Sequence, residues 1–281
     1  SKLGGFQIFT IITTCCSLLC VLGPLTEAPA RFPEAYSDYY CEFIRGYYVF
    51  CFVIWQWGYI VASTTNAGAA KNAMVSCKQI GNYTYKCDKC LIQRADRAHH
   101  CSSCGVCVLK MDHHCVWINR CVGYYNYKPF FIFNFFLAQG AVMYVYLLIN
   151  YIIARNYHFT LESPSWYVAP FFWLESVIVC LTAILVPMLL STHILLVIAN
   201  ISTIEYIQGK PYQLPCASAS NFGVNAHDMG IVANFVQIFG LNPLLWFYPS
   251  KVDQPEQGEF WPRVPELTSA DYEGFTKKQL S

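Results

Sequence analysis

Residues 87–121 read CDKCLIQRADRAHHCSSCGVCVLKMDHHCVWINRC. This stretch holds seven of the fifteen cysteines and four of the seven histidines of the 281-residue chain. Cys87-x2-Cys90, Cys101-x2-Cys104 and a further Cys107 fall within 21 residues. Pairing at two-residue spacing lets two thiolates reach one metal at about 2.3 Å. Six cysteines and two histidines make eight ligands, enough for two tetrahedral zinc ions, and they leave Cys115 over. A lone cysteine preceded by Asp112 and His113 and surrounded by metal ligands reads as a nucleophile. With four protein ligands each, neither ion keeps the open position of a catalytic zinc, so both are expected to be structural. A RING-type arrangement is excluded, because its Cys-x-His core is missing. The segment has too few apolar residues to hold a shape without metal.

On both sides of this segment the chain reads as membrane. It is 55% hydrophobic and only 12% charged, against about 25% charge in a soluble domain. A span needs roughly 20 apolar residues, and four stretches qualify: 6–25, 46–65, 129–153 and 170–199. The first reads as a membrane helix, not a removed signal peptide. Pro187 is expected to kink the fourth. The fold class that follows is an all-α integral membrane protein, with four transmembrane helices and a cytosolic two-zinc cysteine-rich domain between helices 2 and 3. The segments are 1–65 (helices 1 and 2), 66–128 (zinc domain), 129–199 (helices 3 and 4) and 200–281 (C-terminal region).

Orientation follows from the positive-inside bias. Lys71, Lys78, Lys86, Lys89, Arg94, Arg97, Lys110, Arg120 and Lys128 lie in 66–128, whereas the loop after span three has only Arg155. Both termini and the cysteine-rich segment are therefore expected in the cytosol, where cysteines bind metal instead of forming disulfides. The sequons at Asn82 and Asn200 are expected to be unused there. Asn134, Gln139, Asn150 and His193 are expected to make interhelical hydrogen bonds, and Glu175 to snorkel. Cys15, Cys16, Cys20, Cys51 and Cys180 read as apolar fillers. Cys77 and Cys216, near the cytosolic surface, are candidates for acylation. Residues 244–250, LLWFYPS, read as an amphipathic or re-entrant segment, and the chain from Lys251 as a loose tail.

The order Cys-x2-Cys, His-Cys-x2-Cys-x2-Cys, Asp-His-His-Cys, Cys121, then Asn126-x3-Phe130 resembles the DHHC protein S-acyltransferases, or palmitoyltransferases. Ser202-Thr203-Ile204-Glu205 is similar to that family's TTxE motif. The run Asp228 to Gly240, including Asn234, resembles its C-terminal Asn-containing motif. Asn66-Ala67-Gly68 sits where the family has Asp-Pro-Gly. The departures are Val116 and Ala95 in place of proline, Arg120 in place of asparagine, and Pro129 within the Asn-Tyr-Lys-Phe-Phe run. None removes a ligand or a catalytic group.

The resemblance implies two interleaved zinc sites, Cys87, Cys90, His100 and Cys107 for one, and Cys101, Cys104, His114 and Cys121 for the other. His99 is left without a role and is expected to be solvated. Cys115 becomes the nucleophile, His113 its base and Asp112 the partner that sets the tautomer, as in a Cys-His-Asp triad. The implied reaction transfers palmitoyl from acyl-CoA to cysteines of membrane-associated substrate proteins through an acyl-enzyme. Burying the acyl chain in the bilayer region contributes about 0.8 kcal/mol per CH₂. Lys110, Arg120 and Lys128 are expected to meet CoA phosphates and Trp117 to lie beside the acyl-CoA. Gly140, with Ala141, is expected to leave room at the end of the acyl cavity.

Candidate partners are palmitoyl-CoA, the lipid bilayer, substrate proteins with cytosolic cysteines and an accessory subunit, with no nucleic acid. Expected locations are the Golgi, endoplasmic reticulum or plasma membrane. The alternative is a zinc-containing membrane scaffold without turnover, which would have no need of Asp112, His113 and Cys115 together. A transporter is disfavoured because the spans carry few charges and no paired acid.

Overall fold

The structure, a computed structural model, describes residues 10, 12, 14–19, 38–70, 85–94, 97–158, 169–208 and 227–250. Most of the expected first span, Cys20, Cys77, Asn82, Ala95, Cys216 and the tail from Lys251 lie outside the described residues. The chain divides into two compact units, Ser1–Tyr59 with Phe131–Ser191, and Ile60–Phe130 with Thr192–Ser281.

The first unit is helical. It takes its residues from a helical stretch at 14–19, and from α1 (Asp38–Thr64), α2 (Tyr127–His158) and α3 (Ala169–Ile198). Two of these, α2 over Tyr127–Ile153 and α3, are long and apolar enough to cross a membrane. Only 17% of the most apolar window of α3 is buried, and Phe171, Leu174, Val177, Leu181, Ile184, Leu185 and Met188 are exposed. A helix apolar all round and unpacked on one side is suited to lipid rather than water. The helix α1 starts eight residues ahead of the stretch expected from Gly46 and carries Asp38, Glu42 and Arg45 in that extension, which lowers its hydropathy. α3 continues through Pro187.

Close packing in this unit depends on small residues. A Cβ on Gly140 would run into the Trp55 ring, and one on Gly58 would lie 3.0 Å from the Phe133 nitrogen. Gly140 is therefore a contact point for a buried indole, and neighbouring Ala141 lines a cavity of about 50 Å³. An open apolar cavity of about 600 Å³ is lined by Phe43, Tyr47, Phe135, Gln139, Met143 and Pro187, among others.

Some polar residues of the helices bond across them. The Tyr47 hydroxyl donates to Gln139 Oε1, Tyr48 donates to Ser17 Oγ at 3.0 Å, and the Tyr144 and Ser176 hydroxyls are 3.1 Å apart. Asn150 instead donates within its own helix, to the Tyr146 carbonyl at 2.7 Å. Glu175 does not snorkel: it is 6% exposed and lines a cavity of about 50 Å³ with Thr14, Ser17 and Tyr48. Cys51 is buried as a filler would be, but Cys15 and Cys16 are exposed.

Among its described residues the second unit holds, besides helices, seven strands of two or three residues. These are β1 (Ala69–Ala70), β2 (Tyr85–Cys87), β3 (Ile92–Arg94), β4 (His99–Cys101), β5 (Val106–Val108), β6 (His113–Cys115) and β7 (Arg120–Val122). They form a sheet ordered β1-β5-β4 and two hairpins, β2-β3 and β6-β7, all antiparallel. The cysteine pairs occupy tight turns. Cys90 N donates to Cys87 Sγ at 3.4 Å, and Cys104 N to Cys101 Sγ at 3.3 Å. The next residues, Leu91 and Gly105, take φ of 56° and 68° and return their N–H to the carbonyls of Cys87 and Cys101. Among the described residues, a buried apolar cluster of these sheets comprises Ala67, Cys101, Val108, Met111 and Cys121, with Val106 and Ile204 packed against it, a small core that leaves the turns in need of another source of rigidity.

Three asparagines join the strands to the helices. Asn66 Oδ1 accepts from Gly68 N (3.0 Å) and Ala69 N (2.8 Å), turning the chain out of α1. Asn126 accepts from Gly123 N at 2.9 Å and donates to the carbonyls of Ala62 and Cys121, tying the ends of α1 and β7 to the start of α2. Asn234 lies in α5 (Ile231–Phe239), which follows the short α4 (Thr203–Gln208). It accepts from Met229 N and donates to the Ile198 carbonyl and Asp228, closing the end of α3. The last described turn, Pro243–Leu245, places Trp246 against Phe235 and Phe239.

Candidate active site and metal centres

The antiparallel register brings the metal ligands together. His100 is opposite Cys107 on β4-β5, and His114 is opposite Cys121 on β6-β7. Two sets result, Cys87, Cys90, His100, Cys107 and Cys101, Cys104, His114, Cys121, each with donor atoms within 4.8 Å of one another. In the first, Sγ and Nδ1 atoms are separated by 3.1 to 3.8 Å, and in the second by 3.4 to 3.7 Å. A tetrahedron with metal–sulfur bonds of about 2.3 Å has edges of about 3.8 Å. Three soft thiolates and one imidazole make a donor set suited to zinc. Burial, then Cys87 and Cys90, push the Cys107 thiol up to about 12, and burial with Cys101 and Cys104 pushes Cys121 up as well. A cation at each centre relieves that crowding by holding the thiolates deprotonated. Both sets fit the metal that the spacing predicts.

Alternation along β6 separates two roles for adjacent histidines. Successive side chains on a strand point to opposite faces, so His114 turns to the metal set while His113 and Cys115 share the other face. His113 Nδ1 donates to Asp112 Oδ2 at 2.7 Å. Asp112 is 1% exposed and accepts two more bonds from Thr203: N to Oδ1 and Oγ1 to Oδ2, both 2.8 Å. Burial raises the Asp112 pKa, but His113 and the Thr203 N–H outweigh it and keep the carboxylate ionised.

The electrostatics favour a charged His113–Cys115 pair. Burial works against the His113 cation, yet the Asp112 bond and the neighbouring Cys115 raise its pKa to about 9. Burial likewise raises the Cys115 thiol, and the His113 bond with the N–H groups of Ile118 and Trp117 lowers it overall. These N–H groups belong to the β6-β7 turn, where Trp117 is 48% exposed.

Ser202 and Glu205 form a capping box at the start of α4. Ser202 N donates to Glu205 Oε2 at 2.7 Å, and Glu205 N donates to Ser202 Oγ at 3.3 Å. Arg97, absent from the residues singled out in the sequence, donates Nε and Nη2 to the two Glu205 oxygens at 2.7 and 2.8 Å. It also reaches the Asn200 side chain and carbonyl. Burial raises Glu205, but the Arg97 charge brings its pKa down to about 2. This buried pair fixes Thr203 beneath Asp112. Asn200 is 2% exposed.

The expected CoA contacts separate. Lys110 Nζ is bonded to Asn200 Oδ1 at 3.1 Å. Burial, then Arg97, hold its pKa well below the ordinary ammonium value, so it braces the interior instead of meeting a phosphate. Lys128 is 4% exposed and donates to the carbonyls of Phe239 and Leu245 and to Ser250 Oγ. It holds the C-terminal turn, again not a phosphate. Arg120, opposite Cys115 in the β6-β7 register, donates to the Thr65 carbonyl at 3.3 Å. His99 is half-buried beside Arg94 instead of solvated.

A family model described as DHHC palmitoyltransferase matches residues 80–210. The chain is 34% identical over 175 residues to "Probable protein S-acyltransferase 15" of Arabidopsis thaliana, covering 62% of this chain and 68% of that one. It is 35% identical over 163 residues to "Palmitoyltransferase ZDHHC15A" of Danio rerio (58% and 47%). With "Palmitoyltransferase ZDHHC15" of Xenopus laevis it shares 37% over 167 residues (58% and 46%). The matched part thus spans from about half to two thirds of these relatives. The chain belongs to the DHHC palmitoyltransferase family.

Proposed function

We propose that this protein is a membrane-bound S-acyltransferase that moves palmitoyl from acyl-CoA to cysteine thiols of other proteins, through an acyl-enzyme on Cys115. The observation that carries this reading is Cys115 itself. It stands outside both metal sets and beside a histidine that a buried, triply bonded Asp112 holds in place. Family membership and the names of the relatives support the same chemistry.

In the first half-reaction the Cys115 thiolate attacks the thioester carbon. A new Cys115–acyl bond forms, the bond to the CoA sulfur breaks, and CoA leaves with the proton of the His113 imidazolium. In the second, an incoming protein thiol gives its proton to His113 and takes the acyl group, and Cys115 returns to thiolate. Asp112 stabilises the imidazolium in both and keeps its own charge. Thioester-to-thiol exchange is nearly balanced in energy and calls for no further cofactor.

Two zinc ions, held by the two Cys₃His sets, supply the rigidity that the small apolar cluster of the strands does not. Trp117, exposed at the turn after Cys115, and Arg120 are the residues this reading assigns to meet the acyl-CoA. The open apolar cavity of about 600 Å³ in the helical unit supports a place for hydrocarbon among those helices. We read the molecule as four spans with the cysteine-rich segment and both termini in the cytosol, in an endomembrane or plasma membrane. Incubating purified protein with palmitoyl-CoA and a peptide thiol tests the reaction: wild type transfers the acyl group, and Cys115→Ser does not. A Cys115→Ser protein that transfers at the wild-type rate refutes the assignment.

A further inference from the structure

The proposed triad leaves a buried histidine unexplained. His193, near the end of α3, is 3% exposed, and one of its ring nitrogens lies within 4.8 Å of donor atoms of both Asp112 and His113. Its Nδ1 is 2.9 Å from the hydroxyl of Tyr127, the first residue of α2. Its ring is 5.9 Å from that of His113, and Phe130 meets both edge-on, each at 5.3 Å. The void beside Tyr127 and Asp112 is about 10 Å³, at the lower limit for one water molecule. A mobile water chain therefore has no room to replace this arrangement.

We infer that Tyr127 and His193 are positioning residues for acyl transfer, acting through His113. The terminal torsion of a histidine is broad and soft, so one bond from Nδ1 to Asp112 still lets the ring swing. Phe130 closes one side of that swing and His193 another. A swing of about 1 Å at the ring nitrogen facing Cys115 is enough to cost about 100-fold in rate. The Tyr127 hydroxyl, donating to His193 Nδ1, fixes the orientation and tautomer of His193 and so the surface against which His113 rests. This inference rests on the triad reading, and it adds two residues from helices α2 and α3 that touch neither acyl-CoA nor the thioester.

The test uses Tyr127→Phe, His193→Phe and the double variant in the full chain, each assayed for two bound zinc ions. Both changes keep an aromatic ring and remove the polar contact. One readout is acyl-enzyme formation from palmitoyl-CoA. The other is alkylation of Cys115 by iodoacetamide, followed by peptide mass spectrometry, which needs no acyl-CoA. Wild type that alkylates at Cys115 but forms no acyl-enzyme sinks the function and leaves this inference still measurable. Loss of one bond predicts a fall of about 10-fold in the acylation kcat and in Cys115 alkylation, with the KM for palmitoyl-CoA unchanged. The double variant is expected to match the single ones, because the two residues form one unit. If His193→Phe fails to fold, Tyr127→Phe decides alone. Rates within 2-fold of wild type, or single effects that multiply in the double variant, overturn the inference.

Discussion

Thr203 donates both its backbone N–H and its hydroxyl to the carboxylate of Asp112, each at 2.8 Å. The two residues are 91 positions apart, so the capping box of α4 is built into the support of the triad. Thr203→Val removes the hydroxyl bond and keeps the N–H. A hydrogen bond to a charged acceptor is worth about 1.5–3 kcal/mol, so acyl-enzyme formation is expected to slow by about 10- to 100-fold while both zinc ions stay bound. Single-turnover kinetics check this, and an unchanged rate would mean that Asp112 needs no such support.

The pH dependence of acyl-enzyme formation should be a bell. The Cys115 pKa is lowered by His113 and two N–H groups against the effect of burial, so the acid limb lies below the ordinary thiol value of 9.0. The His113 pKa is raised to about 9. As pH rises through that value the departing CoA loses its proton donor and the rate falls. An acid limb at or above the ordinary thiol value would show that no thiolate–imidazolium pair exists.

The Arg97–Glu205 pair contributes to the acid stability of the second unit. Folding holds the Glu205 pKa at about 2, below its ordinary 4.5. The stability this contributes, about 3 kcal/mol, is fully present above 4.5 and is lost as pH falls toward 2. Glu205→Gln leaves Arg97 buried without its counter-charge and should cost about 3–5 kcal/mol. The double change Arg97→Met with Glu205→Gln is expected to cost less than Glu205→Gln alone. Denaturant titration in detergent measures all three, and a double variant that is worse than the single one would exclude this account of the pair.

Gly140→Ala runs a Cβ into the Trp55 ring. Overpacking of this kind costs about 1–3 kcal/mol, and Trp55→Phe in the same chain should recover part of it. Thermal unfolding in detergent is the readout. A Gly140→Ala protein as stable as wild type would mean that the helices have room there.

The two Cys₃His clusters and the Asp112–His113–Cys115 grouping were legible through the family resemblance, and the local geometry agrees with it. Strand alternation sends His113 and Cys115 to one face and His114 to the other. The Arg97–Glu205 pair spans 108 positions and the Tyr127–His193 bond spans 66. In the sequence Arg97 is one of several cations in a polar segment, and nothing local marks it as buried. The same limit misplaced Lys110 and Lys128: charge near a membrane edge predicts a phosphate contact, whereas their acceptors come from Asn200 and from the C-terminal turn. Glu175 reads as a helix-end acid only until Thr14, Ser17 and Tyr48 are seen to line the same cavity.

The central claim is that Cys115 carries the acyl group. The most direct measurement is labelling of purified protein with radiolabelled palmitoyl-CoA, followed by neutral hydroxylamine, with Cys115→Ser and His113→Ala in parallel. The account predicts a label that hydroxylamine releases, that is absent from Cys115→Ser and strongly reduced in His113→Ala. A label that persists in Cys115→Ser, or no label at all in protein containing two zinc ions, would contradict it.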